Sequence, residues 1–83
     1  MQPNQEILVI AATDTELEPA RELLGKNTGG IRIATTGAGK VSAALATLEL
    51  VQEKRPDWII QTGCAGAYPS SCLATGDAAL ADL

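Results

Sequence analysis

The stretch "EILVIAA", residues 6–12, is apolar without interruption from Ile7 to Ala12. A strand with one wet face alternates polar and apolar positions, whereas a run with no polar position has both faces covered. That single feature restricts the chain to folds in which helices lie over a parallel or mixed sheet. A helical stretch follows at once, "TDTELEPARELLG" (13–25), with Leu17, Ala20, Leu23 and Leu24 read as one apolar stripe. Gly25 falls where a residue past the last helical turn is often glycine. Pro19 limits this helix, because proline is comfortable only near a first turn, so an irregular start around Asp14 to Glu16 is expected.

The rest of the chain repeats the alternation. "IRIATTG" (31–37) reads as a second strand, preceded by the turn "KNTGG". "GKVSAALATLELVQEK" (39–54) is a helix of about four turns, with apolar residues at Val41, Ala44, Leu45, Leu48 and Val51. Pro56 stops it, "DWIIQTG" (57–63) is another buried strand, "CAGAYPSSCLATGD" (64–77) an ordered loop, and "AALADL" (78–83) begins one more strand. The order β-α-β-α-β predicts an α/β fold, a parallel or mixed sheet covered by helices. The chain has no Phe, one Trp and one Tyr, so Ala, Leu, Ile and Val must do the packing, which suits thin layers. Its 83 residues make one domain at most. A chain of this size buries only about 60–65% of the surface it exposes when unfolded.

Charge and cysteine usage exclude several functions. A net charge of −4 with six basic residues leaves no basic footprint for nucleic acid. No apolar run reaches the roughly 18 residues of a membrane span, and "MQPNQE" is not the start of a signal peptide. Cys64 and Cys72 lie in one loop, and without a secretion signal they read as free thiols of a cytoplasmic protein. Two thiols and no histidine do not make a zinc site, and no cofactor is implied.

In sheets of this kind ligands sit beyond the C-terminal ends of the strands, which selects the loops 12–16, 36–40 and 63–77. "TTGAGKVSAAL" (35–45) looks at first like a phosphate loop. The P-loop pattern fails at both ends, with Ala34 at the first glycine and Val41 at the magnesium-binding hydroxyl. A dinucleotide fingerprint fails at Ser42. The stretch is instead a tight strand-to-helix turn. Glu16 is the carboxylate best placed for chemistry, but Thr13-Asp14-Thr15-Glu16 is equally a capping box, with Glu16 reaching back to the N-cap amide. Asp14 is an ordinary partner of the helix dipole. "TGCAGA" (62–67) puts small residues at a strand end, where a flat ligand or another backbone could approach closely. Cys64 has no histidine to activate it as a nucleophile. Asp77 reads as part of a turn, and Lys40, Lys54 and Arg55 as solvated charges.

The segments "LVIAATDTELEP", "TTGAGKVSAAL" and "RPDWIIQTGCAGAYPSSCLATGD" together resemble the N-terminal third of the purine nucleoside phosphorylase and nucleosidase superfamily. The resemblance runs in order along nearly the whole chain and implies a three-layer α/β/α fold with a mixed sheet. Within the superfamily, the Tyr68-Pro69 loop is most similar to futalosine hydrolases, which release a purine base in menaquinone synthesis. The related methylthioadenosine/S-adenosylhomocysteine nucleosidases carry T-G-S-A-G-G, from which Cys64 and Ala67 depart. The resemblance implies that Glu16 positions and activates the hydrolytic water, with Thr13 near water and ribose. It implies that Ala38 lines the ribose 5′ side and that Cys64, Ala65 and Gly66 border the nucleoside. It implies a homo-oligomer, and it places the acid that protonates the purine, and a glutamate for the ribose hydroxyls, in later segments. On that basis residues 1–83 are a partial domain without the C-terminal two thirds, expected to be inactive alone.

Three alternatives stand beside this expectation, the first being a methylthioadenosine/S-adenosylhomocysteine nucleosidase. A nucleoside phosphorylase would need a phosphate site, usually built with arginines, and Arg21, Arg32 and Arg55 all lie outside the three loops. A non-catalytic module is the third, since a three- or four-stranded fragment exposes a sheet edge and could persist by self-association.

Overall fold

A computed structural model describes residues 5–24 and 29–81. Its elements in chain order are β1 (Ile7–Ala11), α1 (Asp14–Leu24), β2 (Ile31–Thr35), α2 (Lys40–Glu53), β3 (Trp58–Gln61) and a short 3₁₀ turn, Pro69–Ser71. The strands form one sheet in the order β2-β1-β3, and both pairings are parallel. Among the described residues the sheet is thus parallel throughout, within the parallel or mixed sheet expected from the alternation of elements. Both connections are helical crossovers, which return the chain in the same direction.

β1 is central and buried from Leu8 to Ala11, as its unbroken apolar run requires. Side chains alternate across the sheet, so Ile7, Val9 and Ala11 share a face with Ile31 and Ile33 of β2, and α1 seals that face with Leu17. Arg32 points to the other face. Its guanidinium donates to the carbonyl oxygens of Leu50 and Lys54 and so pins the C-terminal turn of α2 there. One helix thus lies on each side of the sheet, giving the α/β/α layering.

α1 begins regularly at Asp14 and runs through Pro19, against the irregular start expected from the proline. Pro19 is solvent-facing and removes one amide donor, while Leu17 docks the helix from the preceding turn. Leu23 does not join the stripe and is 87% exposed. At about 100° per residue it stands about 120° around the helix from Leu17, whereas Ala20 and Leu24 lie within about 60° of Leu17. Gly25 and the first residues of the turn 26–30 lie outside the described residues.

α2 also differs from its sequence pattern. Val41, Leu45 and Leu48 face solvent, at 73%, 59% and 53% exposure, and Ala44 is exposed with them. The half-buried side is Ala43, Ala46, Thr47, Leu50 and Val51. The larger aliphatics Val41, Leu45 and Leu48 thus turn outward, and no residue of α2 is fully buried.

β3 is exposed along its length, correcting the buried strand expected over 57–63. Among the described residues it pairs only with β1 and its other edge is open, and Trp58, Ile59 and Ile60 are about half exposed or more. Residues 78–81 are likewise exposed and not a strand, because none of the three strands pairs with them; 82–83 lie outside the described residues. The turn expected at Asp77 is present, its carboxylate accepting from the Ala74 amide at 2.8 Å.

The register of β3 is set at its start. The Glu6 amide donates to Asp57 Oδ2 at 2.8 Å, the Asp57 amide donates back to the Glu6 carbonyl at 2.7 Å, and Lys54 pairs with Glu6 at 3.1 Å. A slip of one residue would turn every β3 side chain to the opposite face. It would also carry Gly63 and Cys64 away from the end of β1.

Candidate functional site

In a parallel sheet the connections leaving neighbouring strands in opposite directions open a crevice between them. The order β2-β1-β3 puts that point between β1 and β3. The chain leaving β1 turns through Ala12 and Thr13 into α1, and pairing with β3 continues one residue further, the Thr62 amide donating to the Ile10 carbonyl at 2.9 Å. Gly63 and Cys64 then emerge directly opposite the first turn of α1.

Glu16 spans this gap. The Cys64 amide donates to its Oε2 at 2.9 Å, and the Thr13 hydroxyl donates to its Oε1 at 2.8 Å. Thr13 acts twice, since its hydroxyl oxygen also accepts from the Glu16 amide at 3.3 Å, which caps the helix. Capping and presentation of the carboxylate are thus one arrangement. The Cys64 amide above all, and then the Thr13 hydroxyl, hold the Glu16 carboxyl below the ordinary glutamate value; partial burial opposes them and the Thr13 amide adds a smaller lowering. The position in the first turn of α1 also favours negative charge.

At neutral pH Glu16 is therefore an ionised, partly exposed carboxylate with each oxygen engaged once. A carboxylate has about four lone-pair sites, so each oxygen keeps room for a hydrogen from water or a ligand hydroxyl. Such a group is a weak base and a good holder of a water molecule.

The neighbouring turn is tied to the same end of the sheet. Thr35 Oγ1 donates to Asp14 Oδ1 at 3.1 Å, and Arg21 reaches the same oxygen at 3.3 Å, so the start of α1 is tied to the end of β2. Asp14 is thus a bridging residue, beyond its expected place at the helix dipole. The amides of Thr36 and Gly37 donate to the carbonyls of Ala11 and Ala12, which carries β2 alongside β1 past the strand ends.

The structure brings Thr13, Glu16 and Cys64 together. Ala38, Ala65 and Gly66 are exposed on loops leaving the same end of the sheet, and no hydrogen bond ties them to that group among the described residues. Gly66, Ala67 and Tyr68 line an open depression of about 350 Å³. Cys64 and Cys72 are free and exposed, and what Cys64 contributes is its amide rather than its thiol. Gly63 was not singled out by sequence reasoning beyond the small-residue run. In the structure the group that approaches that run closely is the Glu16 carboxylate.

Residues 21–82 match the family described as Phosphorylase superfamily, and the chain belongs to it. Among individual proteins it is similar to the 5'-methylthioadenosine/S-adenosylhomocysteine nucleosidase of Shewanella loihica, at 36% identity over 93% of this chain and 35% of that one. The nucleosidase of the same name from Haemophilus influenzae is 37% identical over 90% of this chain and 33% of its own. That of Staphylococcus aureus is 46% identical over 60% of this chain and 22% of its own. The chain spans about a third of the length of the curated relatives it matches along most of its length. No solved structure matches it. Among the described residues no helix is long and apolar enough to cross a membrane.

Proposed function

We propose that this chain is the N-terminal part of a purine nucleosidase and supplies the carboxylate that holds the hydrolytic water. The observation that carries the proposal is Glu16, ionised and held at both oxygens in the crevice between β1 and β3. Cleavage of an N-glycosidic bond through an oxocarbenium-like state needs a departing base that can be protonated and a water on the anomeric carbon. The cation is electrophilic enough to accept a weakly activated nucleophile, so a carboxylate of lowered basicity suffices if the water is in place. Thr13 fixes the rotamer of Glu16 and stands beside the water and ribose. Ala38 lines the 5′ side, and Cys64, Ala65 and Gly66 border the nucleoside.

Relatives named for methylthioadenosine and S-adenosylhomocysteine favour a nucleoside of that kind as substrate. The Ala65-Gly66-Ala67-Tyr68-Pro69 loop keeps a futalosine-type nucleoside as the second reading. Protonation of the departing purine is asked of a residue outside these 83. General acid catalysis is typically worth about 100- to 10,000-fold, so the 83-residue chain alone is inactive. The whole enzyme is proposed to be cytoplasmic and homo-oligomeric.

The test follows free purine released from methylthioadenosine, S-adenosylhomocysteine and futalosine, with and without phosphate. It compares the 83-residue chain with a longer product of the same reading frame. Release by the longer product alone, without phosphate, is expected. Dependence on phosphate would replace hydrolysis by phosphorolysis, and turnover by the short chain would overturn its dependence on an external acid.

A further inference from the structure

We infer that Gly63 is a positioning residue for Glu16: the side chain missing at 63 is the space through which the Glu16 carboxylate reaches the Cys64 amide. The role given to Glu16 rests on the proposed function, but the geometry and its test do not.

The backbone does not require glycine here. Gly30, Gly37, Gly39 and Gly76 adopt positive φ, and Gly63 is not among them. Packing against the rest of the fold does not require it either. A Cβ built at Gly63 would stand 2.6 Å from Glu16 Oε2 and 3.6 Å from its Cδ, and among the described residues would meet no other heavy atom within 4 Å beyond the chain neighbours. Among the described residues, the only group that excludes a side chain from position 63 is therefore the carboxylate itself.

The group struck is the far end of a flexible side chain. An added methyl would swing the carboxylate aside and leave the backbone where it is. Oε2 would then lose the Cys64 amide, and the two-point hold shared with Thr13 would become a one-point hold. Gly66, two residues from Cys64 in the same loop, provides the contrast, because a Cβ there meets open space.

Three variants of the chain test this: Gly63→Ala, Gly66→Ala, and Gly63→Ala combined with Glu16→Ala. The readouts are the side-chain carbon resonance of Glu16 and the amide resonance of Cys64, both followed through an acid titration. In the unsubstituted chain the Cys64 amide should track the ionisation of Glu16. In Gly63→Ala the Glu16 carboxyl should titrate at higher pH, toward the ordinary glutamate value, and the Cys64 amide should stop following it. Gly66→Ala should change neither. Unaltered titration of both resonances in Gly63→Ala would overturn the inference. If Gly63→Ala does not fold, the double variant decides: a folded double variant identifies the clash with Glu16 as the cause, and an unfolded one overturns it. Purine release bears on the proposed function alone, so its failure leaves this result standing.

Discussion

Replacing Leu17 by alanine tests how α1 carries the site. Leu17 is fully buried and is the only buried residue of α1, seated on Val9 and Ala11 with Ile31 and Ile33 beside it. The change removes three carbons, about 2.4 kcal/mol of transfer free energy at about 0.8 kcal/mol per methylene. A residual cavity raises the cost toward the roughly 2–5 kcal/mol seen for such truncations. Because α1 covers the sheet as a single thin layer it can settle inward, so about 2–4 kcal/mol is expected. For a chain of this length, at about 0.05–0.15 kcal/mol per residue, that is a large share of the whole stability. The melting temperature should fall on the order of 10–30 °C. Urea unfolding followed by circular dichroism would measure the loss, with Leu23→Ala as the control. Leu23 belongs to the same apolar pattern in the sequence but stands exposed, so its truncation should stay within about 0.5 kcal/mol. Equal losses in the two variants would refute the docking of α1 through Leu17, and with it the placement of Glu16 one residue earlier.

Two further outcomes follow from the same geometry. Gly30 has φ +83°, and a Cβ there would collide with the Gln5 carbonyl oxygen, a backbone atom that cannot swing aside. Gly30→Ala should therefore cost about 1–2 kcal/mol from the left-handed backbone alone, and more with the clash, as read by urea unfolding. Glu16 has a folded-state pKa below the unfolded one, so its contribution is complete above the unfolded value and is lost as the pH falls through the folded value. The stability difference between the unsubstituted chain and Glu16→Gln should accordingly shrink on acidification; a difference constant across that range would remove the assigned hydrogen bonds.

The first strand was legible because an unbroken apolar run asks for cover on both faces, and β1 is buried from Leu8 to Ala11. The same pattern misled at Trp58 to Ile60, since a run of apolar residues states what a strand needs and not which neighbours are beside it. The outward side of α2 has the same origin: Val41, Leu45 and Leu48 make the stronger apolar stripe, but the half-buried side is the one with Ala43 and Ala46. Capping at the start of α1 was legible from the Thr13–Glu16 spacing, and the same Thr13 hydroxyl that accepts from the Glu16 amide also donates to its carboxylate. The partner on β3 was not legible, because an amide donor leaves no mark on residue type.

That last point bears on how the site can drift. The donor opposite Glu16 is part of the main chain, so every residue but proline supplies it equally well. Cysteine or serine at position 64 would serve this bond equally, and the thiol is left over as a handle. A maleimide spin label or fluorophore on Cys64 would sit at the mouth of the crevice without consuming any group that holds the carboxylate.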